Sequence, residues 1–410
     1  MKLIHTSDWH LGQLFHGHER STEHQVFLDW LIAQLHERQP DALLIAGDIF
    51  DHANPSGQSQ RQFYRFLAAA RECCPKLDIV VIAGNHDSAG RLEAPESLLE
   101  TFGIRVVGQL QPDEKPGRAL IPLHNASDEI AAWCLGIPYL RPGDVPRLEG
   151  ERQNYVHGIA ESYRLHLETA LQRREPHQAL IAMGHLHAQD GTTSEDSERR
   201  LVIGGEEAID AGVFSKELAY VALGHLHLAQ TVGGQERIRY CGSPLPLSFT
   251  ETNYPHQILE VQLDGNRLAR VESIPVPRPV PMLRIPRKPA PLQDVLRELE
   301  PLAIDDVEPG HEPWLEVQVL LEGPEPGLRQ KIEEALAEKR VRLVKISPTR
   351  QTVVANGEPE ETEADLELKL EKPDRMFIRR YHEEWGQEPG IELLALFREV
   401  EDAARQGEAA

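Results

Sequence analysis

Residues 42–51 read Ala42-Leu-Leu-Ile-Ala-Gly-Asp-Ile-Phe-Asp51, a five-residue apolar run that stops on Gly47-Asp48. A strand with no polar position is buried on both faces, the habit of sheets covered on each side. Similar runs recur at Lys2–His5, Ile79–Ala83, Trp133–Ile137, Ala179–Met183 and Ala219–Leu223. Between several of them the pattern turns helical. Over 22–38, Phe27, Leu31 and Leu35 recur at i, i+4 and i+8 with Val26 and Trp30 alongside, and 59–74 is a second such stretch. The alternation predicts an α/β layered sandwich, β-sheets flanked by helices, over roughly the first 270 residues.

Several of these runs lead straight into a short polar motif. The motifs are Asp8-Trp9-His10, Gly47-Asp48, Gly84-Asn85-His86-Asp87, Gly184-His185-Leu186-His187 and Gly224-His225-Leu226-His227. Sites in open α/β sheets gather outside the strand C-termini, so the motifs are expected to converge. Asp8 and His10 point the same way if the chain stays extended. The competing reading is a turn capped by Asp8. Asp48 can bridge two ions with its two oxygens, and Gly47 permits the sharp turn; a plain Gly-Asp turn is the alternative there. The 84–87 motif is more specific. A neutral Asn85 oxygen suits a second ion that already has anionic company, and His86 can protonate a leaving oxygen. His185, His225 and His227 complete the nitrogen donors. Two ions held this close clamp both oxygens of a phosphate ester during in-line attack. The Asp/Asn/His mixture suits Mn²⁺, Fe²⁺ or Zn²⁺ better than Ca²⁺.

Other catalytic devices are missing. No Gly-x-x-x-x-Gly-Lys-Ser/Thr loop occurs, so no ATP site is expected in this chain, and neither Gly-x-Ser-x-Gly nor His-Glu-x-x-His is present. The net charge of −23 argues mildly against DNA as a substrate. Metal ligands, solvated helix faces and a basic partner subunit could each account for it. Residues from Pro281 onward carry −11 of that charge, so the acidity is concentrated in the tail. Cys73, Cys74, Cys134 and Cys241 show neither zinc spacing nor a disulfide pattern, and the N-terminus turns polar at once. A reducing cytoplasm is expected, and no apolar stretch is long enough to span a bilayer.

Seven prolines fall between Pro275 and Pro291, which suggests a connector along the surface. A small β-α-β-α-β unit follows, with strands at Met282–Ile285, Trp314–Leu321 and Val341–Ile346 and helices at Leu292–Leu299 and Leu328–Glu338. The expected domains are therefore 1–275, an α+β unit at 276–357, and 358–410. The last begins with six acids in Glu358–Glu367. Its end is helical: Phe377, Tyr381 and Trp385 share one face, as do Leu393, Phe397, Val400 and Ala404. Such helices either pack back on the small domain or dock on a partner protein, and the acidic separation favours docking.

The set Asp-x-His, Gly-Asp-x-x-Asp, Gly-Asn-His-Asp, Gly-His and Gly-His-x-His resembles the calcineurin-like metallophosphoesterase superfamily. Within it, His5-Thr-Ser-Asp-Trp-His-Leu-Gly12, Glu23-His-Gln-Val-Phe-Leu-Asp-Trp30, Gly47-Asp-Ile-Phe-Asp51 and Tyr240-Cys-Gly-Ser-Pro-Leu-Pro-Leu-Ser-Phe249 resemble the SbcD family, nuclease subunits of bacterial SbcCD complexes. The likeness is close over 1–275 and one of layout beyond. It implies Asp8, His10 and His227 on the first ion, Asp48 bridging, and Asn85, His185 and His225 on the second. It implies His86 as catalytic acid or phosphate-orienting group, held by Asp87, with Asp51 and His52 as candidates for DNA contact. It also implies Mn²⁺, or Mg²⁺ less well, and a capping domain that binds DNA. An SbcC-type ATPase would be gripped by Phe377, Tyr381, Trp385, Leu393, Phe397 and Val400. Two nuclease subunits would pair within a heterotetramer, near 59–74 and 93–102. His187 departs from the pattern, and His185 is the expected ligand. The resulting expectation is a double-strand 3′–5′ exonuclease and single-strand or hairpin endonuclease in DNA end processing, repair and recombination. A stand-alone phosphatase or cyclic-nucleotide phosphodiesterase is the alternative, and a non-catalytic scaffold a third.

Overall fold

The computed structural model describes residues 1–111, 117–146, 155–189, 191–192, 208–302, 304, 311–321, 323 and 325–350. Two six-stranded sheets lie face to face. Across the first the order is Arg267–Pro275, Gln257–Asp264, Lys2–Thr6, Ala42–Ala46, Asp78–Ile82, Ile104–Val107. Across the second it is Gln230–Val232, Gln235–Tyr240, Tyr220–Gly224, Ala179–His185, Ile130–Gly136, Leu120–His124. Strand Ala42–Ala46 is buried at every position. Ala42, Leu44 and Ala46 face the core between the sheets with Leu3, Val80, Ile181 and Val221. Leu43 and Ile45 face the other way, onto Phe27, Leu31 and Phe63. The period-2 alternation of a strand thus divides one apolar run between two cores.

Those outer residues belong to helices Ser21–Arg38 and Gly57–Cys73. The first ends where Gln39 turns left-handed and its N–H returns to the Leu35 carbonyl. The second starts on Ser56, whose hydroxyl accepts from the Ser59 N–H at 3.1 Å. All six apolar runs are strands. The antiparallel hairpin Gln257–Asp264/Arg267–Pro275, which closes the first sheet beside Lys2–Thr6, was not signalled. Its outer strand, Arg-Leu-Ala-Arg-Val-Glu-Ser-Ile-Pro, lies mostly exposed on the sheet edge and needs no apolar run.

The proline-rich segment is a correction. Only 276–281 links; Met282–Pro291 is an edge strand of a third sheet, parallel to Trp314–Leu321, with Arg342–Arg350 beyond. The pairing is irregular between Ile285 and Ala290, where Pro286 and Pro289 fall. Edge strands and bulges are where a residue without an N–H is tolerated. Helices Leu292–Leu299 and Leu328–Leu336 cover this sheet around Val295, Leu299, Leu315, Val317 and Ile332. The unit is seated on the sandwich through Trp314. Its ring stands 5.7 Å from that of Phe15, and Nε1 donates to Glu23 Oε1 at 3.1 Å. Glu23 is itself paired with buried Arg20 through two bonds of 2.9 and 2.8 Å.

Met1–Thr349 makes one compact unit. The expected helices carrying Phe377, Tyr381, Trp385, Leu393, Phe397 and Val400 lie outside the described residues. Among those described, no helix is long and apolar enough to cross a membrane.

Candidate metal centre

Strands Lys2–Thr6, Ala42–Ala46 and Asp78–Ile82 run parallel in one sheet, and Ala179–His185 and Tyr220–Gly224 run parallel in the other. Their C-terminal ends meet, and every motif sits on one of them. Of the two courses left open for Asp8-Trp9-His10, extended or turned, the extended one does not occur. Both have positive φ, 55° and 46°, as do Asp48 at 49° and His225 at 102°. Residues with a Cβ seldom adopt this conformation, and surrounding structure has to enforce it. Here the enforcement is a ladder between loops: the Asp8 N–H donates to the Gly47 carbonyl (3.0 Å), His10 to Asp48 (3.1 Å) and Leu11 to Ile49 (2.9 Å). Gly47 has φ 89°, and a Cβ there would strike the His185 ring.

Three sets of ligand atoms each lie within 4.8 Å of one another: Asp8, His10 and His227; Asp8, Asp48 and His185; His10, Asp48 and His86. Asp48 stands between the two halves. Asn85 Oδ1 is 3.0 Å from both His185 Nε2 and His225 Nδ1, which brings the remaining donors to the same place. His187 is half-buried, its ring 6.4 Å from that of His225, outside these sets.

The residues fit divalent ions. Asp8 and Asp48 are carboxylates with no exposure to speak of, side by side. His10 Nε2 is buried without a hydrogen-bond partner, 3.6 Å from Asp48 Oδ2. Burial alone would lower the His185 pKa, but the Asp48 charge and hydrogen bond raise it to about 9. Burial raises Asp48 in turn, yet the His185 charge and hydrogen bond together with His10 and His86 hold that carboxyl well below its usual range. Burial raises Asp8, opposed by His185 and His227. His225 is driven well below the ordinary imidazole range by burial and by repulsion from His185. An ion entering here displaces a proton, as metal binding to imidazole requires.

A second layer orients the ligands, and sequence reading missed most of it. His227 Nδ1 is 2.9 Å from Glu251 Oε1, His10 Nδ1 3.2 Å from Asp51 Oδ1, and His185 Nδ1 2.9 Å from the Ala46 carbonyl. With Nδ1 anchored, each ring turns Nε2 inward. Ser7 Oγ and the His225 N–H bond the two oxygens of Asp8, at 2.5 and 2.9 Å. Glu251 carries no motif and lies 24 residues beyond His227; a backbone carbonyl leaves no sequence signal at all.

His86 and Asp87 divide differently from expectation. The His86 Nδ1 faces the Asp51 carbonyl at 2.8 Å, and its backbone N–H donates to Asp48 Oδ1 at 2.9 Å. Asp87 accepts instead from the backbone N–H groups of Ile49 (3.1 Å), Phe50 (3.0 Å) and Gly84 (2.9 Å). It clamps the Asp48 loop to the Asn85 loop rather than holding the His86 ring. Burial, then the Asp48 charge, push its pKa up to about 6 against those three donors. Asp51 lies behind His10 and also pairs with His52 at 3.0 Å; the His52 side chain is 62% exposed. Asn85 and His86 are half-buried, so the centre opens to solvent on their side.

A family model described as calcineurin-like phosphoesterase matches residues 1–229, and one described as type 5 capsule protein repressor C-terminal domain matches 278–384. The SbcD subunit of nuclease SbcCD from Rhodobacter capsulatus is 40% identical over 85% of this chain and 88% of that protein. Its namesake from Escherichia coli K12 is 33% identical over 90% of this chain and 91% of its own. The chain belongs to the SbcD family of nuclease subunits, metal-dependent phosphodiester hydrolases built on the calcineurin-like phosphoesterase fold.

Proposed function

We propose that this chain cuts double-stranded DNA ends and hairpins, as a 3′–5′ exonuclease and single-strand endonuclease, in complex with an SbcC-type ATPase. The observation that carries the phosphoester hydrolysis is the convergence of Asp8, His10, Asp48, Asn85, His185, His225 and His227 on one solvent-facing centre; the likeness to nuclease subunits is what points it at DNA. Two divalent ions, Mn²⁺ by preference for this donor set and Mg²⁺ as substitute, supply the Lewis acidity for in-line displacement at phosphorus. Asp8, His10 and His227 would hold the first ion, Asp48 would serve both, and Asn85, His185 and His225 would hold the second.

His86 acts on the substrate from the open side. Its Nδ1–H donates to the Asp51 carbonyl, which presents Nε2 as the atom that orients the phosphate or protonates the leaving oxygen. His52 is the exposed residue placed for strand contact, and Asp51 works behind His10. Residues 1–275 carry the chemistry, and 276–357 form the DNA-binding cap. Residues 358–410 link to the helices that dock on the ATPase through Phe377, Tyr381, Trp385, Leu393, Phe397 and Val400. Two copies pair within a heterotetramer that works in the cytoplasm, at the nucleoid.

A stand-alone phosphatase or cyclic-nucleotide phosphodiesterase would use the same centre. Against it stands the likeness to nuclease subunits over nearly the whole chain, cap included. The test compares nucleotide release from an end-labelled blunt duplex with hydrolysis of phosphomonoesters and cyclic nucleotides, all with Mn²⁺. Turnover concentrated on the duplex supports the nuclease; turnover concentrated on the small esters overturns it.

A further inference from the structure

The loop after strand Ile130–Gly136 brings Tyr139 and Arg141 to the rim of the metal centre. The Tyr139 N–H donates to the Ala83 carbonyl at 2.9 Å, fixing the loop to the strand end that carries Asn85 and His86. The Tyr139 ring stands edge-on to His185 with 6.4 Å between centroids. Over the Tyr139 ring, 5.8 Å from its centre, lies the Arg141 guanidinium. Its Nη2 donates to the Asp87 carbonyl at 3.3 Å.

Among the described residues, no carboxylate pairs with the Arg141 guanidinium. In this chain Arg20, Arg38, Arg118, Arg164 and Arg174 all meet Glu side chains. Among the described residues the Arg141 guanidinium makes one hydrogen bond, to a carbonyl, and no ion pair. The nearby Asp144 is engaged otherwise: Oδ2 accepts the Arg141 backbone N–H at 2.9 Å, and Oδ1 accepts from Gln109 Nε2 at 2.7 Å. A guanidinium is a rigid fork of five donors suited to phosphate, and stacking on an aromatic face holds it still. It is half-buried on the Asn85–His185 side, and among the described residues most of its donors are unused.

We propose that Arg141, fixed against Tyr139, holds a phosphate of the nucleic-acid strand next to the one being cut. Arg141 touches the centre through Asp87 and Tyr139, not through a ligand atom, so it stands one layer out from the ions. A strand carries a phosphate at every nucleotide, and a group at that remove meets a neighbour of the scissile one. This rests on the nuclease reading and adds to it a contact that a substrate with a single phosphate cannot make.

The test uses the full chain with Mn²⁺, as wild type, Arg141→Gln and Arg141→Lys. Each is measured on an end-labelled duplex, for binding and cleavage across a salt series, and on bis(p-nitrophenyl) phosphate. For Arg141→Gln the expected result is a DNA KM raised about ten-fold with kcat largely kept. The slope of log affinity against log salt should fall by about one. The loss on DNA should exceed the loss on the small diester about ten-fold. Arg141→Lys restores the salt slope and only part of the affinity, because a point charge replaces the fork. An unchanged DNA KM and salt slope overturns the proposal. So does an equal loss on both substrates, which would make Arg141 a support for the Asp87 loop. A wild type that, with its ATPase partner present, cuts the small diester but neither binds nor cuts the duplex sinks the nuclease reading itself, before any variant is compared.

Discussion

Glu251 Oε1 lies 2.9 Å from His227 Nδ1, and both side chains are shut off from water. The other oxygen of Glu251 accepts the Leu247 N–H at 2.6 Å, so the carboxylate is pinned at both ends. A pinned carboxylate fixes the imidazole tautomer and raises the basicity of the opposite nitrogen. Phe249, two residues away, packs beside Trp314 of the third sheet. One short helical turn, Phe249–Glu251, therefore touches both the seat of the cap and the support of a metal ligand.

Replacing Glu251 by Gln keeps the shape and removes the charge. Mn²⁺ affinity at the first ion is expected to fall about 10- to 100-fold, with the second ion less affected. Titration calorimetry on the variant reads this directly. Two sites of wild-type affinity would show that the His227 ring needs no such support.

Metal removal should cost stability. Binding to the folded state alone stabilises by about 2.7 kcal/mol when the free ion is at 100 times its Kd. Wild-type protein should therefore melt several degrees lower in EDTA than in saturating Mn²⁺. Asp48→Asn, which takes the bridging charge from both halves, should melt at nearly one temperature in both conditions. A full Mn²⁺-dependent rise in Tm for Asp48→Asn would contradict the bridging role.

The seat of the third sheet can be weakened without touching a ligand. Glu23→Ala leaves Arg20 charged, buried and unpaired, a change that costs about 3–5 kcal/mol. Trp314→Ala empties the pocket beside Phe15 and Phe249, at a similar cost of about 3–5 kcal/mol. Both should lower the urea midpoint while Mn²⁺ stoichiometry in the folded protein stays at two. A midpoint unchanged in either variant would mean that the seat contributes little.

Much of this architecture was legible because strand ends carry it. Ala42–Ala46 announced burial on both faces, and the motifs that follow such runs are the residues brought together at the centre. What stayed hidden depends on the third dimension. The left-handed turns at Asp8 and His10 come from a hydrogen-bonded ladder to residues 47–49, so spacing alone could not decide between an extended course and a turn. The family resemblance implied that Asp87 holds His86, whereas the His86 Nδ1 meets the Asp51 carbonyl. The outer strand of the 257–275 hairpin sits on a solvated edge, and the prolines of 282–291 fall on an edge strand. Apolar periodicity is weakest in both settings. Glu251 and Arg141 act across the fold, and no local pattern marks them.

The central claim is that seven side chains hold two ions while His86 acts on the substrate without being needed to hold them. The measurement that tests it most directly is metal content and duplex cleavage on the same preparations of wild type and His86→Ala with Mn²⁺. The account predicts two ions per chain in both, and at least a 100-fold loss of nucleotide release in the variant, the scale of a lost general acid. Two ions with undiminished release from His86→Ala, or loss of the metal together with the activity, would contradict it.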